Sequence, residues 1–233
     1  MTAPRSLALF DLDHTLLPID SDYQWAAFLA RTGRAGDPVE AQRRNDDLML
    51  RYNAGVLTAQ EAADFMLGLL TLAEPTELAR WHHAYMAEVV LPQIQPKAIE
   101  LIAQHRERGD LCAIVTATNE FVTRPIAAEF GIADLIATIP EQNHNGYTGR
   151  ILGIPSFKEG KVARVQQWLN DRHMGLDDFQ ESWFYSDSLN DLPLLEAVTR
   201  PVATNPSPAL RAVAISRGWQ VLDLFEDMQD AKS

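Results

Sequence analysis

The chain holds little that would tie it to an oxidising compartment, a membrane or a polyanion. It has one cysteine, Cys112, so no internal disulfide can form. That thiol lies in the apolar run "LCAIV", where a small core residue is expected rather than a nucleophile. No apolar stretch approaches the roughly 20 residues that span a bilayer. The opening "MTAPRSLALF" lacks a long apolar h-region and meets acids at once, which argues against a secretory signal. Basic residues are scarce, 20 against 32 acidic for a net charge of −12, so general affinity for nucleic acid or anionic membrane is not expected. Repeats and low-complexity tracts are missing too. These absences point to the reducing cytoplasm and to small-molecule chemistry.

What is present is a globular composition, 46% hydrophobic over 233 residues. Short apolar runs at 6–10, 111–118, 134–138, 182–186 and 201–204 read as buried strands, with a sixth at 219–224. Helical patterns at 96–108, 121–130, 158–172 and 189–197 lie between them, which predicts an α/β fold with a doubly wound, Rossmann-like parallel sheet. Residues 19–91 break the alternation. They hold amphipathic helical segments at 22–31, 38–53, 59–70 and 76–90, with Pro38, Gly55 and Pro75 as punctuation. Leu48, Tyr52, Phe65, Leu69, Leu72 and Trp81 are expected to form a small core there. A helical insertion, residues 18–91, is thus expected inside a core domain made of 1–17 and 92–233. The stretch "HNGYTGRILG" (144–153) reads as a β-hairpin.

Two acidic clusters sit at strand ends, where ligands bind in such sheets. In "FDLDHTLL" Asp11 ends the first strand and Asp13 follows one residue later. They suit a nucleophile and a general acid/base, or else a turn in which Asp13 or Thr15 caps a helix. In "YSDSLNDLPLL" Asp187 and Asp191 are four apart with Asn190 between; capping by Ser188 or Asn190 explains one acid but not both plus the amide. Oxygen ligands without thiolate favour Mg²⁺. Thr116 in "VTATN" offers a hydroxyl beside loop amides such as that of Ala117, and Lys158 and Lys161 in "FKEGKVARV" offer positive charge.

The order of these four stretches resembles the haloacid dehalogenase superfamily of hydrolases, with "DLDHT", Thr116, Lys161 and "SDSLND" matching its motifs along most of the chain. The insertion after the first motif is similar to the family's C1 cap, and the "EGKVARVQQWL" helix resembles the phosphoserine-phosphatase-like branch, subfamily IB. The resemblance implies that Asp11 attacks phosphorus to give an aspartyl-phosphate and that Asp13 protonates the leaving oxygen and then activates water. It implies Mg²⁺ held by Asp11, the Asp13 carbonyl and Asp187, with Asp191 orienting the metal shell. Thr116 and Ala117 would bind phosphoryl oxygens, and Lys161, preferred to Lys158 for its "GK" helix start, would offset negative charge. His14 stands where many relatives have Gly or Asn, with its imidazole expected to point away from the phosphate; Ser188 stands where the phosphoserine phosphatases commonly have Gly, which puts close identity with those enzymes in doubt but not the metal site.

Substrate choice points to "DSDYQWAAF" (20–28). Asp20 and Asp22 beside Tyr23 and Trp25 suit a cationic leaving group. The competing reading has Ser21 and Gln24 as a capping box and the aromatics as core. Histidinol phosphate, with an amine and an imidazole, fits the acidic entrance; phosphoserine would also need an arginine such as Arg43, Arg44 or Arg51. Asn119, Phe121, Arg124 and Asn190 are further candidates to face the substrate.

Overall fold

The computed structural model describes residues 6–54, 56 and 58–225, without the side chains at 52, 53 and 59. The Tyr52 side chain and Gly55, both named above, lie outside the described residues. The central strand β1 (Ser6–Phe10) is apolar on both faces and buried along its length, as a strand between two layers must be. Side chains alternate across it: Leu7 and Leu9 enter one cluster, Ala8 and Phe10 the other. Around it lie β2 (Leu111–Asn119), β3 (Asp134–Thr138), β6 (Glu181–Ser186), β7 (Arg200–Thr204) and β8 (Gln220–Leu222), in the order β3-β2-β1-β6-β7-β8 and parallel throughout. Two helices, α5 (Pro96–Glu107) and α6 (Glu120–Glu129), pack on the Phe10 face. On the Leu9 face lie α7 (Glu159–Asn170), α8 (Leu192–Ala197) and α9 (Pro208–Arg217). The sheet is therefore doubly wound, as the alternating pattern predicts.

Between β1 and β2 come α1 (Ser21–Arg31), α2 (Pro38–Asn53), α3 (Ala59–Gly68) and α4 (Pro75–Tyr85), the last prolonged by a wider turn over 86–90. Proline supplies the first residue of α2, α4, α5 and α9, where its missing N–H would be unpaired in any case. The expected core of this insertion needs correction. Leu72 is 46% exposed, and the buried cluster is Leu67, Leu70 and Leu78, backed by Trp81, Phe121, Tyr147 and Ile151. Phe121 comes from α6 and the last two from a hairpin, β4 (Pro140–Asn143) and β5 (Gly146–Ile151), which begins four residues before the stretch marked in the sequence. Leucines spaced for one helical face do not reveal which neighbour covers them, and here the hairpin does. Among the described residues no helix is long and apolar enough to cross a membrane.

Candidate active site

The carboxyl ends of β1, β2 and β6 meet at one edge of the sheet. Past Phe10 the Asp11 N–H still bonds the Tyr185 carbonyl (2.9 Å), so strand geometry carries on to the first acid. The chain then turns tightly, with the N–H groups of Thr15, Leu16 and Leu17 all converging on the Leu12 carbonyl (3.2, 2.9 and 3.0 Å). Leu12, Leu16 and Leu17 are fully buried, and these apolar anchors leave Asp11 and Asp13 facing the mouth of the sheet. Asn205 clamps the turn from outside, donating from Nδ2 to the carbonyls of His14 (3.0 Å) and Thr15 (3.2 Å). His14 takes a positive φ of 57° and is exposed, away from the acids' hydrogen bonds.

Asp11 is buried, and its Oδ1 accepts from Lys161 Nζ at 2.8 Å. The same ammonium donates to Asp191 Oδ2 at 2.7 Å, where the Ser186 hydroxyl also donates (2.7 Å). Lys161 is 2% exposed. Burial opposes its charge, but Asp11 and Asp191 more than offset that and hold it above the ordinary lysine range. Lys158 is exposed at the start of α7, so Lys161 is the lysine in the cluster. Gly160 lets the helix start come this close: a Cβ there would lie 2.1 Å from the Pro155 carbonyl oxygen.

The Thr15 hydroxyl accepts the Asp187 N–H (3.1 Å) and lies 3.2 Å from Asp11 Oδ2 and 3.4 Å from Asp187 Oδ1, serving one carboxylate at a time with its single proton. Burial pushes Asp11 up to about 7, with Lys161 opposing and Asp191 adding to the rise. Asp187 is pushed up to about 8 by burial, then by Asp11 and Asp191. Asp187 has no ion-pair partner among the described residues, so this edge of the sheet gathers more carboxyl groups than Lys161 can pair.

Such a donor set fits a hard cation. Among the described residues no three acidic, imidazole or thiol side chains gather on one point. A divalent ion here would therefore take the Asp11 and Asp187 carboxylates and complete its shell from main-chain carbonyl and water. Asp191 Oδ2 accepts from both Lys161 and Ser186.

Asp13 is held differently. Its Oδ1 accepts the Ser21 N–H (2.8 Å) and its Oδ2 accepts from the Thr118 hydroxyl (2.9 Å). Burial, with Asp20 beside it, raises it to about 6. On β2, Thr116 is buried and its hydroxyl accepts the Thr118 N–H (3.2 Å), while Ala117 is exposed between buried neighbours.

The substrate-facing expectations divide. Asp22 is half-buried, accepts from Asn119 Nδ2 (3.1 Å), and is pushed up by burial and by Asp20 and Asp13. Asp20, not Ser21, is the N-cap of α1, accepting the Tyr23 N–H (2.8 Å), because the extended backbone precedes Ser21 by one residue. Trp25 takes the core reading: it is fully buried, with its ring centroid 5.3–5.9 Å from those of Phe28, His82, Tyr85 and Phe121. Arg124 is exposed and paired with Glu120 of its own helix (2.6 Å), outside the acidic cluster. Asn190 is half-buried in the turn before α8, its N–H donated to the Ser188 hydroxyl (3.2 Å). Asn119 caps α6 as well as holding Asp22. Sequence reasoning missed Thr118, Ser186 and Asn205 as site residues. Their only signal was a polar letter beside a strand end.

This edge of the sheet, with its paired acids, buried lysine and strand-end threonine, defines a hydrolase of the haloacid dehalogenase type. The model of the haloacid dehalogenase-like hydrolases matches residues 8–196, and the chain belongs to that family, as a phosphatase. It is 40% identical over 220 residues to a histidinol-phosphatase of Neisseria meningitidis, covering 94% of this chain and 99% of that protein. A crystal structure of a Bordetella pertussis protein of unknown function is 65% identical, with a TM-score of 0.93 over 96% of this chain and all of that one. A substrate-bound phosphoserine phosphatase shares the fold, with a TM-score of 0.67 at 16% identity, covering 95% of this chain and 94% of the other.

Proposed function

We propose that the chain is a Mg²⁺-dependent phosphomonoesterase working through an aspartyl-phosphate, and that its substrate is a small amine-bearing metabolite, histidinol phosphate first. One observation carries the chemistry: two carboxyls of one short loop are held by different partners. Asp11 lies against Lys161, Thr15 and the Asp187 side; Asp13 lies against Ser21 and Thr118. Carboxyls in different surroundings take different roles.

Asp11 attacks phosphorus while Thr116 and the amides near Ala117 hold the phosphoryl oxygens. Asp13 gives its proton to the leaving oxygen, then removes one from the water that hydrolyses the intermediate. Lys161 offsets the charge on Asp11 and phosphate. Asp11, the Asp13 carbonyl and Asp187 would hold the Mg²⁺, which would supply positive charge against the two carboxylates and the phosphoryl group. Residues 18–91 act as a cap on a core of 1–17 and 92–233, and the lone-cysteine composition suits a cytoplasmic enzyme.

For the substrate, support comes from the Neisseria relative and from the carboxylates at the start of α1. Asp13, Asp20 and Asp22 have no ion-pair partner among the described residues, which favours a cation. The arginines a phosphoserine reading would need are engaged elsewhere on exposed surface: Arg43 and Arg44 with Glu40, Arg51 with Glu61.

The test is turnover of histidinol phosphate, phosphoserine, sugar phosphates and a lipid phosphate, with Mg²⁺ and with chelator. Histidinol phosphate is expected to lead, and Asp11→Asn and Asp13→Asn each to abolish turnover of the alkyl esters in this panel in a folded protein. A flat profile overturns the substrate, and turnover by Asp11→Asn overturns the covalent route.

A further inference from the structure

The pairing of β2 with β3 slips between Val115 and Asn119, so the end of β2 does not alternate regularly. The slip buries Thr118 (5% exposed) and brings its hydroxyl to Asp13, 105 residues earlier in the chain. The neighbouring Asp22 carboxylate accepts from Asn119 Nδ2 (3.1 Å) and also has the Thr118 hydroxyl beside it, so the single Thr118 proton, 2.9 Å from Asp13 Oδ2, stands between two acids.

The two oxygens of Asp13 are not equivalent. Oδ1 accepts the Ser21 N–H at 2.8 Å and Oδ2 accepts from the Thr118 hydroxyl at 2.9 Å, so the two bonds together fix the plane of the carboxyl group while each oxygen keeps a second lone pair. Oδ2 faces a hydroxyl, which rotates. It donates to Oδ2 when Asp13 is a carboxylate, and still donates to a remaining lone pair when Oδ2 carries a proton aimed elsewhere. We propose that Thr118 is a positioning residue that, with the Ser21 N–H on the other oxygen, holds the Asp13 carboxyl group in the orientation from which it gives its proton to the leaving oxygen. This rests on the reading of Asp13 as the acid.

In the first half-reaction the bond from an Asp11 oxygen to phosphorus forms as the bond from phosphorus to the leaving oxygen breaks. The leaving oxygen keeps the electron pair and takes the Asp13 proton, and Asp13 is left as a carboxylate with the Ser21 N–H on Oδ1 and the Thr118 hydroxyl on Oδ2. In the second, Asp13 takes a proton from water as the water oxygen bonds phosphorus and the bond from phosphorus to Asp11 breaks.

Proton donation matters for an alkoxide leaving group and hardly at all for a nitrophenolate. The experiment therefore compares kcat/KM, which reports the first half-reaction, for O-phosphoethanolamine and for p-nitrophenyl phosphate. In Thr118→Val, kcat/KM on the alkyl ester is expected to fall by about 10- to 100-fold, the part of a general-acid contribution that depends on aim. The fall on the aryl ester is at least tenfold smaller. Thr118→Ser, which keeps the hydroxyl, restores the alkyl ester to within about threefold of the parent, well inside the range of a lost acid. Thr118→Ala takes the place of the valine variant if the latter fails to fold. Equal falls on both esters, no fall on the alkyl ester, or failure of serine to restore it overturns the proposal. Asp13→Asn separates the two levels. If it lacks the same preference for aryl esters, the reading of Asp13 itself is wrong; if it shows the preference and Thr118→Val does not, only the role of Thr118 falls.

Discussion

Replacing Lys161 with methionine tests the electrostatics of the site most directly. The ammonium is 2% exposed and sits between Asp11 Oδ1 at 2.8 Å and Asp191 Oδ2 at 2.7 Å. Methionine fills much of the same volume, so the packing loss is small and the electrostatic loss dominates. Removing one partner of a buried pair strands the other, and typically costs about 3–5 kcal/mol. For a protein of this size that is a fall in Tm of roughly 6–20 °C.

The cost depends on pH in a fixed direction. Asp11 is raised to about 7, against an ordinary 3.8, even with Lys161 beside it, and rises further without it. Between the unfolded and folded values the folded state holds more protons, so stability falls as pH rises through that window. The Lys161→Met deficit is therefore largest near pH 8 and shrinks near pH 5.5, where Asp11 takes up a proton. Chemical denaturation followed by circular dichroism at the two pH values measures it. Lys158→Met, at an exposed position, is expected to change stability by less than about 1 kcal/mol at both. A deficit below about 1 kcal/mol for Lys161→Met, or one that grows toward pH 5.5, refutes the reasoning.

Metal addition follows the same sign. With Asp187 raised to about 8 and Asp11 to about 7, the metal-free protein loses stability as pH climbs from about 4 to 8. A fixed Mg²⁺ concentration, about 100 times its Kd at pH 8, should restore about 2.7 kcal/mol there, and the gain in Tm should be smaller at pH 5.5; equal gains count against a site at these two acids. Asn205→Ala removes the two bonds to the catalytic loop and those its Oδ1 accepts from Leu224 N (2.7 Å) and Phe225 N (3.2 Å). A loss of roughly 2–3 kcal/mol is expected, with kcat falling more than KM rises, since the bonds hold the loop and not the substrate. Unchanged kcat would show that the loop keeps its shape without the clamp.

The sheet was legible because its strands are buried on both faces and read as continuous apolar runs; β1, β3, β6 and β7 lie within a residue of their expected limits. The acids stood out for the complementary reason, as charges where apolar runs stop. Trp25 was not legible, since an aromatic near a loop can face a ligand or a core, and only the approach of Phe28, His82, Tyr85 and Phe121 decides. Thr118 was hidden by the slip in β2, which no local pattern announces. Ser21 and Gln24 resembled a capping box, yet the chain begins its helix one residue earlier and uses Asp20. Lys161 was chosen over Lys158 by its letters; Gly160 and the Pro155 carbonyl supply the physical reason that the helix start can close on Asp11.

The clamp at Asn205 bears on how the chain acquires activity as it is made. Synthesis runs from the amino end, so Asp11 and Asp13 leave the ribosome long before the strand that secures their loop. Asn205 reaches back 190 residues to Thr15 and is itself fixed by the backbone of Leu224 and Phe225. A nascent chain with every reactive side chain already out would still carry a slack loop until β8 docks. Truncation just before β8, which removes the backbone groups that fix Asn205, is expected to cost more turnover than the few contacts of that short edge strand suggest.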